Sequence, residues 1–196
     1  MSPEAATTFD LVHDQQEAFR GLLEAVSFPG RLVDLSEPAS RVAPWVGDEN
    51  PALALACGVL VDLDTTWTAE EGPLARFVSE WGGVQPGPIE EAAYAILPRF
   101  EDHHLAQVLG LVRGGTLADP HLGATVLVGL DDLDVGPVRT LRGPGIDDSI
   151  RARLPGGAWV AVRNTRVAEF PLGLDLFFFD RKGRVLALPR TTWMED

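Results

Sequence analysis

A run of three phenylalanines near the end of the chain sets the strongest limit on its fold. Residues 174–179 are apolar apart from Asp175, and Phe177, Phe178 and Phe179 follow one another among them. Successive side chains of a strand point to opposite faces, so a strand with consecutive aromatic residues is covered on both faces. The sequence therefore predicts an interior strand with other elements packed on each side of its sheet.

This strand is predicted to continue into a hairpin. Arg181-Lys182-Gly183 reads as a three-residue loop with glycine where a left-handed residue is needed, and Arg184 and the apolar residues 185–188 follow it. Pairing the two strands about this loop places Asp180 opposite Arg184. The stretch is thus the best-defined element that the sequence predicts.

The far end of the hairpin carries polar residues that have two interpretations. The same pairing brings Asp175 close to Arg190, which Thr191 and Thr192 follow. An ion pair between Asp175 and Arg190 would hold the hairpin end together. Alternatively, Arg190 and the two hydroxyls could bind an anion, because a guanidinium group matches the geometry of phosphate oxygens. Arg142, in a Gly- and Pro-rich loop, is a further candidate for such a site, although a tight turn explains that loop equally well.

Helices and strands are predicted to alternate along the rest of the chain. Helical spacing covers residues 14–26, 51–60, 74–81 and 102–112, and residues 149–169 are expected to be partly helical. Strands are expected at residues 31–35, 65–67 and 93–97, and at 125–130 and 138–141 on either side of an acidic turn. We predict an α/β fold in which residues 9–196 form a single domain, with a mixed β-sheet flanked by helices. Residues 1–8 are expected to be mobile.

The charge balance excludes some classes of partner. The chain has 16 basic and 29 acidic residues and a formal net charge of −13, whereas duplex nucleic acid and anionic membranes attract basic surfaces. The most apolar stretch, residues 52–61, is shorter than the roughly 20 residues of a membrane helix. The first ten residues contain two acidic side chains and no signal-peptide pattern. We expect a cytoplasmic protein with no nucleic-acid or membrane partner.

The residue inventory also excludes several chemistries. Lys182 is the only lysine and lies in the predicted turn, where it should stay solvated and charged rather than form a Schiff base. The single cysteine, Cys57, excludes an intramolecular disulfide. His103 and His104 are adjacent on a predicted helix and point about 100° apart, so we expect no metal site there. No complete catalytic constellation is visible in the sequence.

Several motifs together resemble a known family. They are Phe19-Arg20-x-Leu22-Leu23-x-Ala25-x-Ser27-x-Pro29-Gly30, Gly123-Ala124-Thr125, Leu141-Arg142-Gly143-Pro144-Gly145-Ile146, Phe170-Pro171-Leu172-Gly173-Leu174-Asp175 and Leu188-Pro189-Arg190-Thr191-Thr192. In order and spacing they resemble the PhnH subunit family of the bacterial carbon–phosphorus lyase system. The resemblance runs from about residue 9 to residue 193.

The resemblance implies a role in the use of organic phosphonates. Family members act with other lyase core subunits that join a phosphonate to the ribose of ATP, displacing adenine to give ribose 1-phosphonate 5-triphosphate. A separate radical iron–sulfur subunit then breaks the carbon–phosphorus bond. The resemblance further implies a fold like a pared-down PLP-dependent transferase domain that works without PLP, a homodimer in isolation, and contact with ATP or phosphonate only within the complex.

The resemblance transfers no catalytic residue. The candidate polar site, structural or anion-binding, is therefore the set already described: Arg142, Asp175, Arg190, Thr191 and Thr192. Phe19, Arg20 and Ser27 are interpreted as packing residues of the first helix and its exit turn. Two other functions remain open: a stand-alone nucleotide- or phosphonate-binding protein or enzyme that uses Arg190, and a PLP enzyme, which would depend on Lys182.

Overall fold

Helices and strands alternate along the chain, as the sequence predicts. A computed structural model describes residues 9–195, so the mobility expected of residues 1–8 lies outside the described residues. No helix of this range is both long and apolar enough to cross a membrane. The helices are α1 (His13–Ser27), α2 (Ser36–Val46), α3 (Pro51–Leu60), α4 (Pro73–Gly82), α5 (Asp102–Leu111) and α6 (Trp159–Val167). The strands are β1 (Val33–Asp34), β2 (Trp67–Ala69), β3 (Tyr94–Leu97), β4 (Thr125–Gly129), β5 (Val138–Arg142), β6 (Ile150–Arg153), β7 (Asp175–Phe179), β8 (Arg184–Leu188) and β9 (Trp193–Glu195).

The predicted hairpin forms the middle of the central sheet. β7 and β8 are antiparallel, with Phe179 opposite Val185 and Leu176 opposite Leu188. Beyond them the backbone N–H of Asp180 donates to the carbonyl of Arg184 at 2.9 Å. This register is the one expected from a loop at residues 181–183, so the sequence prediction is confirmed.

The central sheet is mixed, as predicted. Its six strands lie in the order β1-β8-β7-β4-β3-β2. β7, β4, β3 and β2 are parallel to one another, whereas β8 is antiparallel to both β7 and β1. The parallel strands therefore end along one side of the sheet, here called the carboxyl edge, and begin along the opposite side, the amino edge.

Apolar cores cover both faces of this sheet. Helices α1 to α4 pack on the face that carries Phe177 and Phe179. Helices α5 and α6 pack on the other face, where the ring of Phe178 lies 5.4 Å from that of Trp159. The three consecutive phenylalanines thus fill two cores, which confirms β7 as an interior strand.

Helix α2 is an element that the sequence pattern did not reveal. Its segment contains Pro38 and Pro44, which weaken the helical signal. Pro38 lies in the first turn, where backbone N–H groups have no partner within the helix, and Pro44 lies in the last turn. Ala39 and Val42 are buried against the core, so tertiary packing rather than propensity stabilises the helix.

A second sheet of three strands, in the order β6-β5-β9, was also not predicted. The expected strands at 125–130 and 138–141 both form, but they lie in different sheets instead of facing each other across the acidic turn. The segment expected to be partly helical contains β6 as well as α6. Leu141, Ala152 and Met194 point inward from this sheet into the core beneath α6.

Asn50 links α3 to the carboxyl edge of the central sheet. Its side-chain oxygen accepts a hydrogen bond from the N–H of Leu53 at 3.1 Å and so caps the helix. Its amide donates to the carbonyl of Phe179 at 2.9 Å and to that of Leu130 at 3.4 Å. One buried side chain therefore satisfies backbone groups of three separate segments.

We predict that Asn50→Ala lowers the free energy of unfolding by about 2–4 kcal/mol, because it removes the cap from the buried N–H of Leu53 and the links to the carbonyls of Phe179 and Leu130. Urea unfolding monitored by circular dichroism would measure the change. Ser40→Ala is the control: its hydroxyl makes an exposed bond to the carbonyl of Glu37, so a loss below about 0.5 kcal/mol is expected. Equal losses in the two variants would contradict this role for Asn50.

Candidate functional site

Asp175 and Arg190 meet at the amino edge, where β7 begins and β8 has just ended. The Arg190 backbone N–H donates to Asp175 Oδ1 at 2.7 Å, and its Nε donates to Oδ2 at 3.1 Å. Arg190 Nη2 also donates to Oδ2, and Nε lies 3.3 Å from Oδ1, so the guanidinium group contacts both carboxylate oxygens. The side chains are 17% and 26% exposed, which makes this a largely enclosed ion pair. The ion pair predicted from the hairpin register is confirmed.

The remaining donors of Arg190 bind the chain segment that precedes β4. Nη1 donates to the carbonyl of Pro120, and Nη2 lies 3.4 Å from the carbonyl of Gly123. A side chain at position 123 could not fit, since its Cβ would lie 2.7 Å from Arg190 Nη1 and 2.6 Å from the carbonyl oxygen of Gly173. Arg190 is therefore surrounded by protein acceptors, which leaves little of it for a ligand.

Arg163 is a buried residue of this region that sequence reasoning missed. It projects from α6 with no solvent exposure and donates to the carbonyls of Thr192 at 2.7 Å and Pro189 at 2.8 Å. Burial lowers its pKa to about 10, and the negative charge of Asp175 limits that shift. The sequence did contain a signal for this burial: Arg163 lies at helical spacing from Val160 and Val167, on the inward-facing side of the helix.

The predicted polar residues do not converge on one ligand. Thr192 is 1% exposed, while Thr191 beside it is partly exposed. Arg142 lies on the exposed surface, where Nη1 donates to Asp148 Oδ1 at 2.8 Å and Nε is 3.5 Å from Glu195. Its backbone pairs with β9, next to the threonines, but its guanidinium group is separate from the pair at Arg190. These contacts favour the structural interpretation of the five candidates.

The five sequence motifs nevertheless form one continuous contact. The exit turn of α1 meets the loop after β5, where the Cβ of any residue at position 145 would lie 2.3 Å from the carbonyl oxygen of Ser27, and Gly145 itself has φ 84°. That loop follows β5, which pairs with β9 directly after Thr192. Arg190 completes the chain of contacts to Asp175 and Gly123. The shared motifs thus mark a packed junction along the amino edge.

A second charged cluster lies at the carboxyl edge, in the hairpin loop. The fully buried carboxylate of Asp180 accepts hydrogen bonds from the N–H groups of Lys182 at 3.0 Å and Arg184 at 2.9 Å. It also accepts from Arg184 Nε at 2.8 Å and from the N–H of Leu133 at 3.3 Å. This carboxylate fixes the loop and ties it to the segment after β4.

Two further carboxylates complete the cluster. Lys182 Nζ donates to Asp132 at 2.8 Å and to Asp134 at 3.2 Å, and Arg184 also pairs with both. Hydrogen bonds from these cations lower the pKa of Asp132 and that of Asp134 below the usual range, and the carboxylates in turn raise the pKa of Lys182. The only lysine of the sequence is therefore held protonated.

The largest cavity at the carboxyl edge lies beside this cluster. It has a volume of about 650 Å³ and is bordered by loops that follow β3 and β4, together with the hairpin loop. Phe100, Leu130 and Val135 provide apolar walls, and Arg99 and Arg181 provide guanidinium groups. Sequence reasoning did not identify this cavity, because its lining residues come from distant loops.

The histidines and the cysteine provide no metal site in the described range. No group of three or more His, Cys, Asp or Glu side chains there is placed to hold a metal ion. His104 Nδ1 lies 3.7 Å from Glu70. Cys57 is fully buried, and burial raises the pKa of its thiol, which makes it a poor nucleophile.

Helix α1 presents large apolar side chains to solvent. Phe19, Leu23 and Val26 lie at helical spacing and are 46%, 51% and 39% exposed. The inward face of the same helix carries small residues, including Ala18 and Ala25. We call these three residues the outward stripe of α1. An exposed row of large apolar residues is typical of an interaction surface.

The interpretation of Phe19 and Arg20 as packing residues is therefore wrong, since both are exposed. The helical spacing placed Phe19 beside the apolar face, but it lies outside the buried face of α1. That face carries Leu22 and small residues, and at Gly21 an added Cβ would lie 2.4 Å from Leu35. Ser27 does belong to the exit turn, through its carbonyl near Gly145.

Comparison with known proteins gives consistent matches over nearly the whole chain. A family model described as bacterial phosphonate metabolism protein (PhnH) matches residues 7–195. HtxG of Stutzerimonas stutzeri, named a C-P lyase subunit protein, is 32% identical over 185 residues, covering 91% of this chain and 84% of its own length. The alpha-D-ribose 1-methylphosphonate 5-triphosphate synthase subunit PhnH of Rhizobium meliloti (strain 1021) is 30% identical over 203 residues, with 95% and 92% covered.

We predict that Arg190→Ala destabilises the fold by about 2–3 kcal/mol, because it leaves the Asp175 carboxylate and two carbonyls without their donor. Chemical unfolding would measure the loss. The control is Arg142→Ala, which removes an exposed pair and should cost less than about 1 kcal/mol. A stable Arg190→Ala protein would contradict the structural role of the pair.

The carboxyl-edge cluster predicts a pH dependence. The lowered pKa values of Asp132 and Asp134 mean that their stabilising contribution is present above the unfolded value near 3.8 and is lost as pH falls through the folded values. The double variant Asp132→Asn/Asp134→Asn should therefore be less stable than the unaltered protein at about pH 6. This difference should shrink as the pH approaches about 3.

Thermal or urea unfolding at a series of pH values would test this expectation. Asp147→Asn changes an exposed aspartate outside the cluster, and we expect its stability to follow that of the unaltered protein throughout. The contrary result is a difference in unfolding free energy, between the double variant and the unaltered protein, that stays constant with pH. It would show that the carboxylates stabilise the loop by some means other than their charge.

Proposed function

The chain belongs to the PhnH family of bacterial phosphonate metabolism proteins, and from this membership we propose that it is a subunit of a carbon–phosphorus lyase system in phosphonate catabolism. The observation that carries the proposal is the match from residue 7 to residue 195, which includes every strand of both sheets. Both relatives are named as subunits, one of a C-P lyase and one of a synthase.

The proposed role is to support transfer of a phosphonate onto the ribose of ATP with displacement of adenine. The relative from Rhizobium meliloti is named a subunit of a ribose 1-methylphosphonate 5-triphosphate synthase, which is the basis for the reaction class. In the described residues, Asp175, Asp180 and Arg190 are committed to structural contacts. We therefore propose that catalysis requires other lyase core subunits, so that ATP and a phosphonate react only within the complex.

The outward stripe of α1 supports a subunit role. Burying Phe19, Leu23 and Val26 against a partner would remove apolar surface from water, at roughly 25 cal/mol per Å². We propose that another lyase core subunit covers this surface in the complex. In the absence of that subunit we propose that the chain forms a homodimer.

The fold is proposed to be a reduced PLP-dependent transferase domain that works without PLP. The mixed sheet with helices on both faces supports the likeness at the level of architecture. Lys182 supports the absence of the cofactor, because an amine paired with Asp132 and Asp134 stays protonated and cannot form a Schiff base. We also propose that the protein acts in the cytoplasm.

The alternative of a stand-alone anion-binding protein built on Arg190, Thr191 and Thr192 has less support. Asp175 and two carbonyls already occupy the Arg190 guanidinium group. A ligand at that end of the sheet would have to displace these acceptors. We therefore favour the subunit role.

Co-expression with the other lyase core subunits of the same host tests the proposal. The unaltered chain should co-purify with them in a fixed ratio by affinity capture and size exclusion. Leu23→Glu should abolish co-purification, because it places a charge at the centre of the outward stripe, while the thermal unfolding of the isolated chain stays nearly unchanged. A chain that remains alone beside well-folded partners would reject the subunit role.

Leu111→Glu is the matched control for this experiment. Leu111 is 53% exposed, close to the value for Leu23, and ends α5 on the opposite face of the central sheet. We expect this variant to co-purify normally. Co-purification of Leu23→Glu at the unaltered ratio would show that the partner binds elsewhere.

A further inference from the structure

The cavity at the carboxyl edge lies where α/β sheets bind ligands. In open α/β sheets, ligands bind in crevices outside the carboxyl ends of the strands. Here the residues directly after β3 and β4 and the loop after β7 border the same space. The volume of about 650 Å³ is that of a typical small-molecule site.

The lining combines an apolar wall with convergent donors. Phe100, Leu130 and Val135 can contact the body of a ligand, while Arg99 and Arg181 present guanidinium groups. Small-molecule sites typically combine these two kinds of group, since the apolar wall contributes affinity and a few polar groups fix the orientation.

The charges around the cavity leave arginine donors unused. Asp131 pairs with Arg181 at 3.3 Å, and Asp132 is matched by Lys182 and by Arg184. Two of the three carboxylates that line the cavity therefore have cationic partners, although Asp132 shares Lys182 and Arg184 with Asp134. The third carboxylate, that of Glu101, is exposed to solvent, where water and salt screen its charge.

Arg99 is the group that most strongly indicates a ligand. It lines the cavity and has no hydrogen bond or ion pair with any residue between 9 and 195. Arg181 uses Nε for Asp131 and Nη1 for the carbonyl of Asp48, and its Nη2 is not engaged within the same range. Two guanidinium groups from different strand ends thus have donors free at one cavity.

We propose that this cavity binds a small ligand bearing a phosphonate or phosphate group, whose oxygens are held by Arg99 and Arg181. Guanidinium groups bind such oxygens through paired, charge-assisted hydrogen bonds. The anion site would then lie at the carboxyl edge, opposite the Arg190 pair. The choice of a phosphonate or a nucleotide phosphate as the ligand rests on the proposed function. The presence of the cavity and its arginines is independent of that function.

Isothermal titration calorimetry on the isolated full-length chain tests the site with three probes: methylphosphonate, inorganic phosphate and ATP. We expect saturable binding of at least one probe. Arg99→Ala should weaken that binding about tenfold or more, because it removes a charge-assisted contact. Arg99→Lys should restore only part of it, since a lysine keeps the charge but not the paired donors.

Arg76→Ala is the matched control, because Arg76 is another exposed arginine with no partner in the described chain and lies outside this cavity. Unchanged binding in Arg76→Ala and weakened binding in Arg99→Ala would support the site. Equal losses in the two variants, or no saturable binding of any probe at about 10 mM, would overturn it.

The probes also separate the sources of the anion. Similar Arg99-dependent binding of methylphosphonate and inorganic phosphate would support a site that recognises the anionic group, and Arg99-dependent binding of ATP alone would support a nucleotide site with the same anion contacts. The result is independent of co-purification. A chain that co-purifies with partner subunits but binds no probe rejects this site alone, and a chain that binds but never co-purifies rejects the subunit role alone.

Discussion

The carboxylate of Asp175 holds together parts of the chain that lie far apart in sequence. It accepts the backbone N–H and the guanidinium donors of Arg190, which in turn binds the carbonyls of Pro120 and Gly123. Its negative charge also favours the charged form of Arg163, which is buried in α6 and holds the turn before β9. A single carboxylate thus stabilises two arginines. These arginines in turn connect the hairpin, the segment before β4 and the second sheet.

This dependence explains why part of the fold could be predicted and part could not. The hairpin and its ion pair follow from local pattern: three phenylalanines, a loop with Gly183, and a register that places Asp175 next to Arg190. The second sheet depends instead on β5 pairing with β9, about fifty residues further along the chain, and no local pattern marks that partner. Helix α2 was not predicted, because Pro38 and Pro44 weaken the helical pattern of its sequence. The helix accommodates these prolines in its first and last turns.

The candidate site, too, could be predicted from the sequence only in part. The sequence correctly paired Asp175 with Arg190, but Arg142 joins the region only through its backbone, and its side chain pairs with Asp148 on the surface. The carboxyl-edge cavity was beyond sequence reasoning, because Arg99 and Arg181 approach each other only after β3 and β7 take their places in the sheet. A periodic pattern identifies what an element buries, whereas a cavity between loops arises from the order of the strands.

The two edges of the central sheet use their arginines in different ways. At the amino edge, Arg190 pairs with Asp175, and both Arg190 and Arg163 donate to backbone carbonyls. The motifs that identify the family there therefore act mainly by fixing the junction of its segments. At the carboxyl edge, Asp180 fixes the hairpin loop, and Arg99, which lines the cavity beside it, has no side-chain partner among the described residues. A guanidinium group gains most from an anionic ligand where no protein acceptor competes for it. The motifs that make the family recognisable are therefore a poor guide to the proposed ligand site, and Arg99, which lies outside them at the carboxyl-edge cavity, is the better one.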